Sequence, residues 1–297
     1  MGVSLDESVA AFADDVGTTE PVTITGLGTR GGPVADCRTV RAPAGIDWIQ
    51  AAEMTVRCGA GTPVAELDRA LAEYGQCVAI PDFGTVGGAL AVGRSDLRRL
   101  AWGPVRDTVL QVKYVSSRGE VVKAGGPTVK NVSGFDLCRL LVGSYGTLGF
   151  LAEVILRTRP RPVHEQWFTS RRDPWGLLGE LYRPTSVLWD GSTSWVLLDG
   201  HPDDVAEQAA DADLVAVDAA PDLPPHRWSV PPGELTTLRD EPPGTFVAEI
   251  GVGIVHHSRP APKVLPDAET IELHRRIRME FDPTGRLNPG LDVLTGP

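Results

Sequence analysis

The chain has 297 residues, 42% of them hydrophobic, which suffices for one large domain or two ordinary ones with a buried core. Its 28 basic and 39 acidic residues give a formal net charge of −11, which argues against a protein that wraps nucleic acid or lies on an anionic membrane. The four cysteines, Cys37, Cys58, Cys77 and Cys138, show no C-x2-C spacing, so we expect no iron–sulfur or zinc site and a reduced, cytoplasmic protein.

The N-terminal residues carry acidic side chains and no basic cluster, so we expect no secretory signal there. The myristoylation pattern also fails, because Asp6 stands where serine or threonine is required. No apolar run approaches the roughly 20 residues that span a bilayer. The sequence therefore predicts no direct membrane insertion, and it is compatible with a peripheral place beside a membrane-associated complex.

A β-prone run over residues 22–25 leads into a glycine-rich loop, Gly26 to Gly31, that satisfies the dinucleotide fingerprint G-x-G-x-x-G. That fingerprint has to open a helix, but here Gly32-Pro33 and a second β-prone run follow. The loop is therefore predicted to connect two strands. Two interpretations stay open: a phosphate-facing loop with Arg30 beside it, or a plain glycine-rich hairpin.

A strand, a turn and a helix are predicted over residues 54–75. After the β-prone run and Gly59-Ala60-Gly61, Thr62 is an N-cap residue and Pro63 suits the first helical position. Gly75 ends the helix. The unit is similar to a nucleotide-binding loop, but proline removes one N–H group that would face an anion, so a structural role is favoured.

The stretch from Pro81 to Gly93 contains the glycine turn on which the functional prediction rests. Gly87 and Gly88 open onto small residues that can enter a helix. Such a turn leaves backbone N–H groups unblocked, and a helix N-terminus adds partial positive charge, so together they can hold a phosphate or pyrophosphate. The alternative is a glycine turn needed only for tight packing. Four arginines follow, and they face either solvent or the same anion: Arg94, Arg98, Arg99 and Arg106.

Between residues 108 and 160 the pattern predicts two hairpin strands, a capped helix and a last strand: residues 108–116 and 121–122, a helix behind Asp136, and residues 150–156 after the glycine cluster 143–149. Pro160 and Pro162 cannot join a continuing strand ladder. We therefore predict one domain over residues 1–160 and a second over residues 161–297.

The second half is predicted to contain a β-α-β-β-α-β unit, which suggests a ferredoxin-like layer. Its strands are residues 166–170, 187–189, 195–198 and 214–217, and its helices are residues 175–182 and 205–210. Residues 221–243 contain seven prolines and are predicted as a long loop. Phe246 to His256 is predicted as one strand, and a last helix begins near Asp267 and is stopped by Asp282-Pro283.

Five stretches together resemble the FAD-binding domain of vanillyl-alcohol-oxidase-type (PCMH-type) flavoproteins, and within that family the FAD-binding subunit of bacterial glycolate oxidase. They are TVGGA from Thr85, VRDTVL from Val105, KNVSGFDL from Lys130, GSYGTLG from Gly143 and FDPTGRLNPG from Phe281. Each stretch alone is common, but their order and spacing make the set specific. The resemblance covers most of the first 160 residues and the last 20.

The resemblance implies an α+β fold, in which a two-subdomain PCMH-type domain clasps an extended, non-covalent FAD and a smaller ferredoxin-like α+β cap domain follows. Both glycine loops would contact the diphosphate, residues 146–150 would lie along the adenosine part, and the tail from about residue 282 would return to the flavin. The cofactor-binding residues expected on this basis are Gly26, Leu27, Gly28, Thr29, Arg30, Pro81, Thr85, Val86, Gly87, Gly88, Arg106, Asp107, Lys130, Gly134, Gly146, Thr147, Leu148, Gly149, Phe150 and Asn288.

The chain departs from the family pattern in several places. Leu27 replaces a usual glycine in the first loop, Phe135 stands where tyrosine is usual, and much of the usual first strand and helix is missing. No histidine lies in the first loop, so covalent flavin attachment by that route is not expected. We expect no metal site either, because His256 and His257 are neighbours in a predicted strand and point to opposite faces.

The resemblance implies a FAD-dependent dehydrogenase of a small 2-hydroxy acid such as glycolate, with hydride passing from the substrate to the flavin. The base is not identified; His256 and His257 are candidates because histidine titrates near neutral pH. Arg30 or Arg106 would hold the substrate carboxylate or a phosphate. The alternative is a non-catalytic FAD-binding electron-transfer or assembly subunit, with flavoprotein and iron–sulfur subunits as candidate partners. A third interpretation is a chain that has kept the fold and lost the flavin.

Overall fold

The computed structural model describes residues 4–127, 136–262 and 266–294, and it divides into two compact units. The first unit takes in the described residues of Met1–Ser95, Pro104–Arg161 and Leu265–Pro297, and the second those of Asp96–Gly103 and Pro162–Val264. The division after residue 160 that the sequence suggested is coarser than this. A short early segment lies in the second unit, and the C-terminal segment lies in the first.

The α-helices of the described residues are α1 (Leu5–Val16), α2 (Val64–Ala72), α3 (Val86–Val92), α4 (Arg99–Trp102), α5 (Leu137–Leu141), α6 (Pro174–Glu180), α7 (Pro202–Asp211) and α8 (Ala268–Phe281). Several begin at side-chain caps that local sequence predicts. The carboxylates of Asp136 and Asp267 accept the amides of Arg139 and Thr270. No helix within the described ranges is both long and apolar enough to cross a bilayer.

The strands are β1 (Val22–Ile24), β2 (Arg38–Val40), β3 (Ile46–Gln50), β4 (Thr55–Gly59), β5 (Gln76–Cys77), β6 (Val109–Val115), β7 (Val121–Gly125), β8 (Phe150–Arg157), β9 (Arg159–Pro160), β10 (His164–Ser170), β11 (Ser186–Trp189), β12 (Ser194–Gly200), β13 (Val215–Val217), β14 (His226–Ser229), β15 (Phe246–Glu249) and β16 (Ile254–His257). They form a five-stranded and a seven-stranded sheet together with two short pairs.

The five-stranded sheet of the first unit has the order β3-β4-β8-β6-β7, with all neighbours antiparallel. Its central strand β8 is buried over seven of its eight residues, which matches its nearly continuous apolar sequence. Helix α2 contributes Leu67 and Leu71 to the core beside this sheet, and helix α3 contributes Leu90. The predicted hairpin between β6 and β7 is confirmed.

A second apolar cluster of the first unit joins helix α1 to the C-terminal tail. Phe12 and Val16 of α1 pack there with Phe150 of β8 and with Leu287 from the C-terminal tail. Strand β1 pairs in parallel with β2. The loop from Gly26 to Gly31 is therefore a connection between strands, as predicted, but the hairpin interpretation is wrong, because hairpin strands run antiparallel.

The turn between β4 and α2 differs in detail from the prediction. Pro63, rather than Thr62, occupies the N-cap position of α2. The Thr62 hydroxyl instead donates to the Gly59 carbonyl at 2.7 Å and accepts the Gly45 amide at 2.9 Å. Thr62 therefore fastens the turn to the preceding loop, which is a long-range contact that a helix-start pattern does not reveal.

The C-terminal tail is anchored by a buried arginine. The guanidinium of Arg286, 3% exposed, donates to the carbonyls of Glu20, Ser117 and Val16 at 2.9, 3.1 and 2.6 Å. Burial lowers the pKa of Arg286, an effect that the nearby Asp282 carboxylate opposes. One side chain thus ties the tail to the end of α1 and to the β6–β7 turn.

The seven-stranded sheet of the second unit has the order β13-β10-β12-β11-β15-β16-β14. Its first four strands, with α6 and α7, follow one another as β-α-β-β-α-β and pair antiparallel. This order is consistent with the ferredoxin-like layer suggested by the sequence, and three further strands extend it. Apolar residues of both helices pack on this sheet, among them Leu177 and Val205.

Two predictions in the second unit are wrong. The proline-rich segment 221–243 contains the edge strand β14 and a 3-10 helix, Pro232–Asp240. The single strand expected over residues 246–256 is a hairpin of β15 and β16, since the chain reverses at Gly251 and Gly253, whose φ angles are +80° and +84°. Such φ angles favour glycine, and the β-prone residues on both sides concealed the turn.

Candidate cofactor site

A cavity in the first unit collects most of the glycines that the sequence singled out. Its wall consists of the loop after β1, the first turns of α3, and the segment from Ser144 to Leu151, with Asn288 of the tail beside them. A Cβ atom on Gly26 would lie 2.8 Å from the Thr85 hydroxyl, so the first loop and the start of α3 touch only because position 26 has no side chain.

The first loop offers unused hydrogen-bond donors. Within the part of the chain that the structure describes, the backbone amides of Gly26, Leu27 and Gly28 have no protein acceptor. The preceding Thr25 amide donates to the Val40 carbonyl at 3.0 Å and so belongs to the strand pairing. Three consecutive free amides beside a cavity can bind an anion.

The amides at the start of α3 are already used inside the protein. The Val86 amide donates to the Thr62 carbonyl, and the Gly87 amide donates to the Ala60 carbonyl at 2.6 Å. The Gly88 amide donates to the hydroxyl of the N-cap residue Thr85 at 3.1 Å. A Cβ atom on Gly87 would lie 2.9 Å from Ala60, so tight packing explains at least this glycine. The donors for an anion therefore lie chiefly in the first loop.

Arg30 brings positive charge to the same place. Its Nη1 and Nη2 atoms are buried and have no hydrogen-bond partner within the described ranges, and its guanidinium lies 4.0 Å from the centre of the Phe83 ring. Burial lowers the pKa of Arg30, and the Asp82 carboxylate opposes that shift. A buried guanidinium with two orphaned nitrogens is costly unless an anion pairs with it.

Asn288 closes the far side of the cavity. Its Oδ1 accepts the Thr23 hydroxyl at 2.9 Å and the Ile24 amide at 3.1 Å, and its Nδ2 donates to the Tyr145 carbonyl at 2.7 Å. A Cβ atom on Gly146 would lie 2.8 Å from this Nδ2. The side chain therefore joins strand β1, the tail and the glycine cluster 143–149.

The structure brings most of the predicted cofactor residues to this cavity. Those on its wall are Gly26, Leu27, Gly28, Thr29, Arg30, Thr85, Gly87, Gly88, Gly146, Gly149, Phe150 and Asn288. Those elsewhere are Pro81, Val86, Arg106, Asp107, Thr147 and Leu148. Val86 and Leu148 lie in the core, and Asp107 pairs with Arg139 at 3.0 Å. Lys130 and Gly134 lie outside the described residues.

Sequence reasoning missed several residues on the cavity wall, among them Ala60, Gly61, Ala91 and Tyr145. The turn at Ala60 and Gly61 was interpreted as structural because proline follows it. Gly61 does have a packing role, because a Cβ atom there would collide with the Ala42 carbonyl oxygen. The repeated strand–glycine–helix pattern was the signal that could have assigned this turn to the cavity.

The two candidate catalytic histidines lie in the second unit and differ in environment. His256 Nε2 lies 3.0 Å from Glu249 Oε1. His257 is fully buried and stacks on Trp228 with ring centres 4.1 Å apart. Its Nδ1 accepts the Arg259 amide at 2.9 Å, whereas its buried Nε2 has no hydrogen-bond partner in the part of the chain that the structure describes. Only His256 is paired with a carboxylate.

Burial, with smaller effects of Arg259 and His226, lowers the pKa of His257, and Glu241 opposes this. The unfolded chain therefore binds this proton at a higher pH than the folded chain does. The free energy of unfolding is expected to fall as the pH drops below about 6.5, by up to about 1.4 kcal/mol per pH unit. Urea unfolding between pH 5 and 8 measures the slope of the free energy of unfolding against pH. The variant His257→Phe should flatten it, and an unchanged slope would contradict the assignment. The exposed His201→Gln is the matched control.

The free amides of the first loop and the guanidinium of Arg30 fit a diphosphate-containing cofactor. Both are hydrogen-bond donors without an acceptor among the described residues, and both lie at one glycine-lined cavity. Among the described residues, no group of three or more histidine, cysteine, aspartate or glutamate side chains is arranged to hold a metal ion.

Comparison with known proteins agrees with this geometry. Residues 15–125 match a family described as an FAD binding domain. The chain is 39% identical over 128 residues to glycolate oxidase subunit GlcE of Escherichia coli, which covers 41% of this chain and 37% of the relative. It is 37% identical over 109 residues to D-lactate dehydrogenase of Archaeoglobus fulgidus, covering 35% and 24% of the two chains. These alignments thus span well under half of the relatives' own lengths.

A solved structure of alkyldihydroxyacetonephosphate synthase shares the fold, with a TM-score of 0.69 and 15% identity over 97% of this chain and 76% of that one. The likeness concerns the fold alone, whereas the family match covers the sequence of the first loop and of α3. Residues 15–125 of this chain are therefore similar to an FAD binding domain, and FAD is the cofactor that this match and the cavity support.

Proposed function

We propose that the chain is a FAD-dependent oxidoreductase that dehydrogenates a small 2-hydroxy acid such as glycolate or lactate. The observation that carries the proposal is the cavity with three free loop amides and the unpaired Arg30 guanidinium, which suits the diphosphate of FAD. Support for the substrate class comes from relatives named glycolate oxidase subunit and D-lactate dehydrogenase. Bound FAD would supply the hydride acceptor.

In this proposal the residues of the first unit hold the cofactor. The amides of Gly26 to Gly28 and the side chain of Arg30 bind the diphosphate, and the segment from Gly146 to Phe150 lies along the adenosine part. Arg106 and Asp107 have no place in it, because both are exposed and neither lines the cavity. The remaining expected contacts of Pro81, Lys130 and Gly134 stay predictions.

We propose His256 as the base that removes the hydroxyl proton of the substrate. The Glu249 carboxylate, whose Oε1 lies 3.0 Å from Nε2, holds the imidazole in one orientation. His257 is unsuited to this role, because it is buried against Trp228 and its Nε2 has no hydrogen-bond partner among the described residues.

The test is the absorbance spectrum of the purified protein, followed by anaerobic addition of glycolate or D-lactate. A flavin spectrum that bleaches supports the proposal, and a flavin spectrum unchanged by a panel of 2-hydroxy acids contradicts it. The variant His256→Gln is expected to keep its flavin and to bleach at least about 100-fold more slowly, the size typical of losing a general base. His164→Gln, in the same unit, is the control and should bleach at the wild-type rate.

A role within a larger assembly is a second candidate, because two relatives are named as subunits of glycolate oxidase. In that case the chain would bind FAD and pass electrons to partner subunits without oxidising a substrate alone. Bleaching of the isolated chain by substrate would contradict this candidate. Bleaching that requires an added partner flavoprotein or iron–sulfur subunit would support it.

A further inference from the structure

The carboxylate of the proposed substrate still needs a partner in the protein. Arg106 is exposed and lies away from the cavity wall, and the proposed function assigns Arg30 to the diphosphate. A carboxylate that leaves water is bound well by a guanidinium, which can donate two parallel hydrogen bonds to it. An arginine close to the proposed base, His256, would meet this need.

The seven-stranded sheet places His256 opposite an arginine. Its neighbours in β16 lie on the other face of the sheet, where Val255 belongs to a buried apolar cluster and His257 stacks on Trp228. Because side chains alternate along a strand, His256 lies on the opposite face from these two residues. There the antiparallel register pairs it directly with Arg227 of β14.

We infer that Arg227 binds the carboxylate of the substrate and thereby selects 2-hydroxy acids over neutral alcohols. The inference rests on the proposed function, because it takes His256 as the base. Side chains that are paired across two antiparallel strands have Cβ atoms about 4.5–5.5 Å apart. In a 2-hydroxy acid the hydroxyl and the carboxylate are on adjacent carbons. One such molecule can therefore contact the imidazole and the half-buried Arg227 at the same time.

The position of Arg227 is distinctive within this sheet. It is the only arginine or lysine in the seven strands β10 to β16 as the structure describes them. Arg98 reaches the same sheet from the segment before α4, but it donates two hydrogen bonds of 3.0 Å to Glu165 of β10. Three strands lie between β10 and β16, which puts that pair about 19 Å from β16 at about 4.8 Å per strand.

A negative charge beside the base makes a cation necessary. Glu249 Oε1 lies 3.0 Å from His256 Nε2, and the two side chains are 6% and 15% exposed. Because a carboxylate accepts hydrogen bonds, Nε2 carries the ring proton and Nδ1 is left to accept the hydroxyl proton. The same carboxylate repels an anionic substrate. Arg227 offsets this repulsion, and the buried Val247 and Ile254 on the same face strengthen its attraction for the substrate by excluding water.

The test uses the purified protein and two readouts. The first is the anaerobic bleaching rate at increasing concentrations of glycolate or of its neutral analogue glycolamide, and the second is calorimetric binding of oxalate, which has no hydride to transfer. Arg227→Gln is expected to keep its flavin and to need about 10- to 100-fold more glycolate for half-maximal bleaching, as loss of charged hydrogen bonds does. Oxalate affinity should fall by the same factor, whereas the response to glycolamide should change little.

Two further variants calibrate this effect. Arg227→Lys keeps the positive charge without the planar fork, so it should recover part of the affinity for glycolate and oxalate. Arg171→Gln removes an exposed arginine of the same unit and should behave like the wild type.

The outcomes separate this inference from the proposed function. Wild-type oxalate affinity and an unchanged preference for glycolate over glycolamide in Arg227→Gln would overturn the inference and leave the proposed function intact. Oxalate binding that depends on Arg227, in a protein that no 2-hydroxy acid bleaches, would support the carboxylate site and contradict the proposed function. A wild-type protein that binds neither oxalate nor glycolate would overturn both.

A structural role of Arg227 is recognised by the same measurements. Equal losses for glycolate and glycolamide together with a lowered melting temperature would indicate such a role and contradict the inference. If Arg227→Gln does not fold, Arg227→Lys decides: weaker oxalate binding with the flavin retained supports the inference, and wild-type oxalate affinity contradicts it.

Discussion

The variant Gly88→Asp is expected to fold and to contain no flavin. A Cβ atom at this position would lie 3.0 Å from the Thr85 hydroxyl and 3.9 Å from Arg30 Nη1, so the new carboxylate reaches the guanidinium proposed to bind the diphosphate. It would pair with that group, occupy its space and repel an incoming anion. An acidic residue in the first turn of a helix is itself favourable, so the apoprotein should not lose stability by its charge.

Flavin released by heat denaturation, measured by absorbance per mole of protein, checks this prediction. Gly88→Asn is the matched control, because it has nearly the same shape without the charge. We expect the asparagine variant to keep part of the flavin and the aspartate variant to keep none. A full flavin complement in Gly88→Asp would show that the cofactor lies elsewhere.

Removal of the Arg286 guanidinium should produce the largest loss of stability among the changes considered. Arg286→Met leaves the carbonyl oxygens of Glu20 and Ser117 without a donor among the described residues, whereas the Val16 carbonyl keeps the Arg38 guanidinium at 3.0 Å. With about 1–3 kcal/mol for each unsatisfied group, the free energy of unfolding is expected to fall by about 2–5 kcal/mol. Because the tail carries Asn288 to the cavity, flavin affinity should fall as well.

Denaturant unfolding of the apoprotein measures this effect, with Arg275→Met as the control. Arg275 is an exposed arginine of α8 that pairs with Glu272 at 2.7 Å, and surface pairs of this kind contribute between about 0 and 1 kcal/mol. Equal losses in the two variants would mean that the carbonyls of Glu20 and Ser117 find other partners and that the tail is held mainly by its apolar contacts.

Sequence reasoning predicted the features that local chemistry determines. The cap Asp136 lies where predicted, and the last helix begins after Asp267 as predicted, because capping depends on residues three positions apart. The β15–β16 turn was missed because its glycines sit within a β-prone run, and strand β14 was missed because its flanking prolines dominated the pattern. An edge strand tolerates such neighbours.

For the candidate cofactor site, the sequence predicted less than it did for the helices. The sequence indicated which glycines gather at one cavity, but not which amides stay free there. The Gly87 amide is used by the Ala60 carbonyl, 27 residues earlier, which no local pattern records. Arg30 was one of several arginines that could meet an anion, and only burial of its unpaired nitrogens distinguishes it. Pairing and burial are long-range properties, so they emerge only with the fold.

The interleaving of the two units has a consequence for the order in which a newly made chain folds. The core of the first unit needs Leu287, and its first strand meets Asn288 across a separation of 265 residues. The nascent chain cannot complete that core until Leu287 and Asn288 have been translated, although N-terminal domains commonly fold first during synthesis. The sheet built from residues 164–257 is finished earlier, so on the ribosome the second unit has all of its strands before the flavin-binding unit can close.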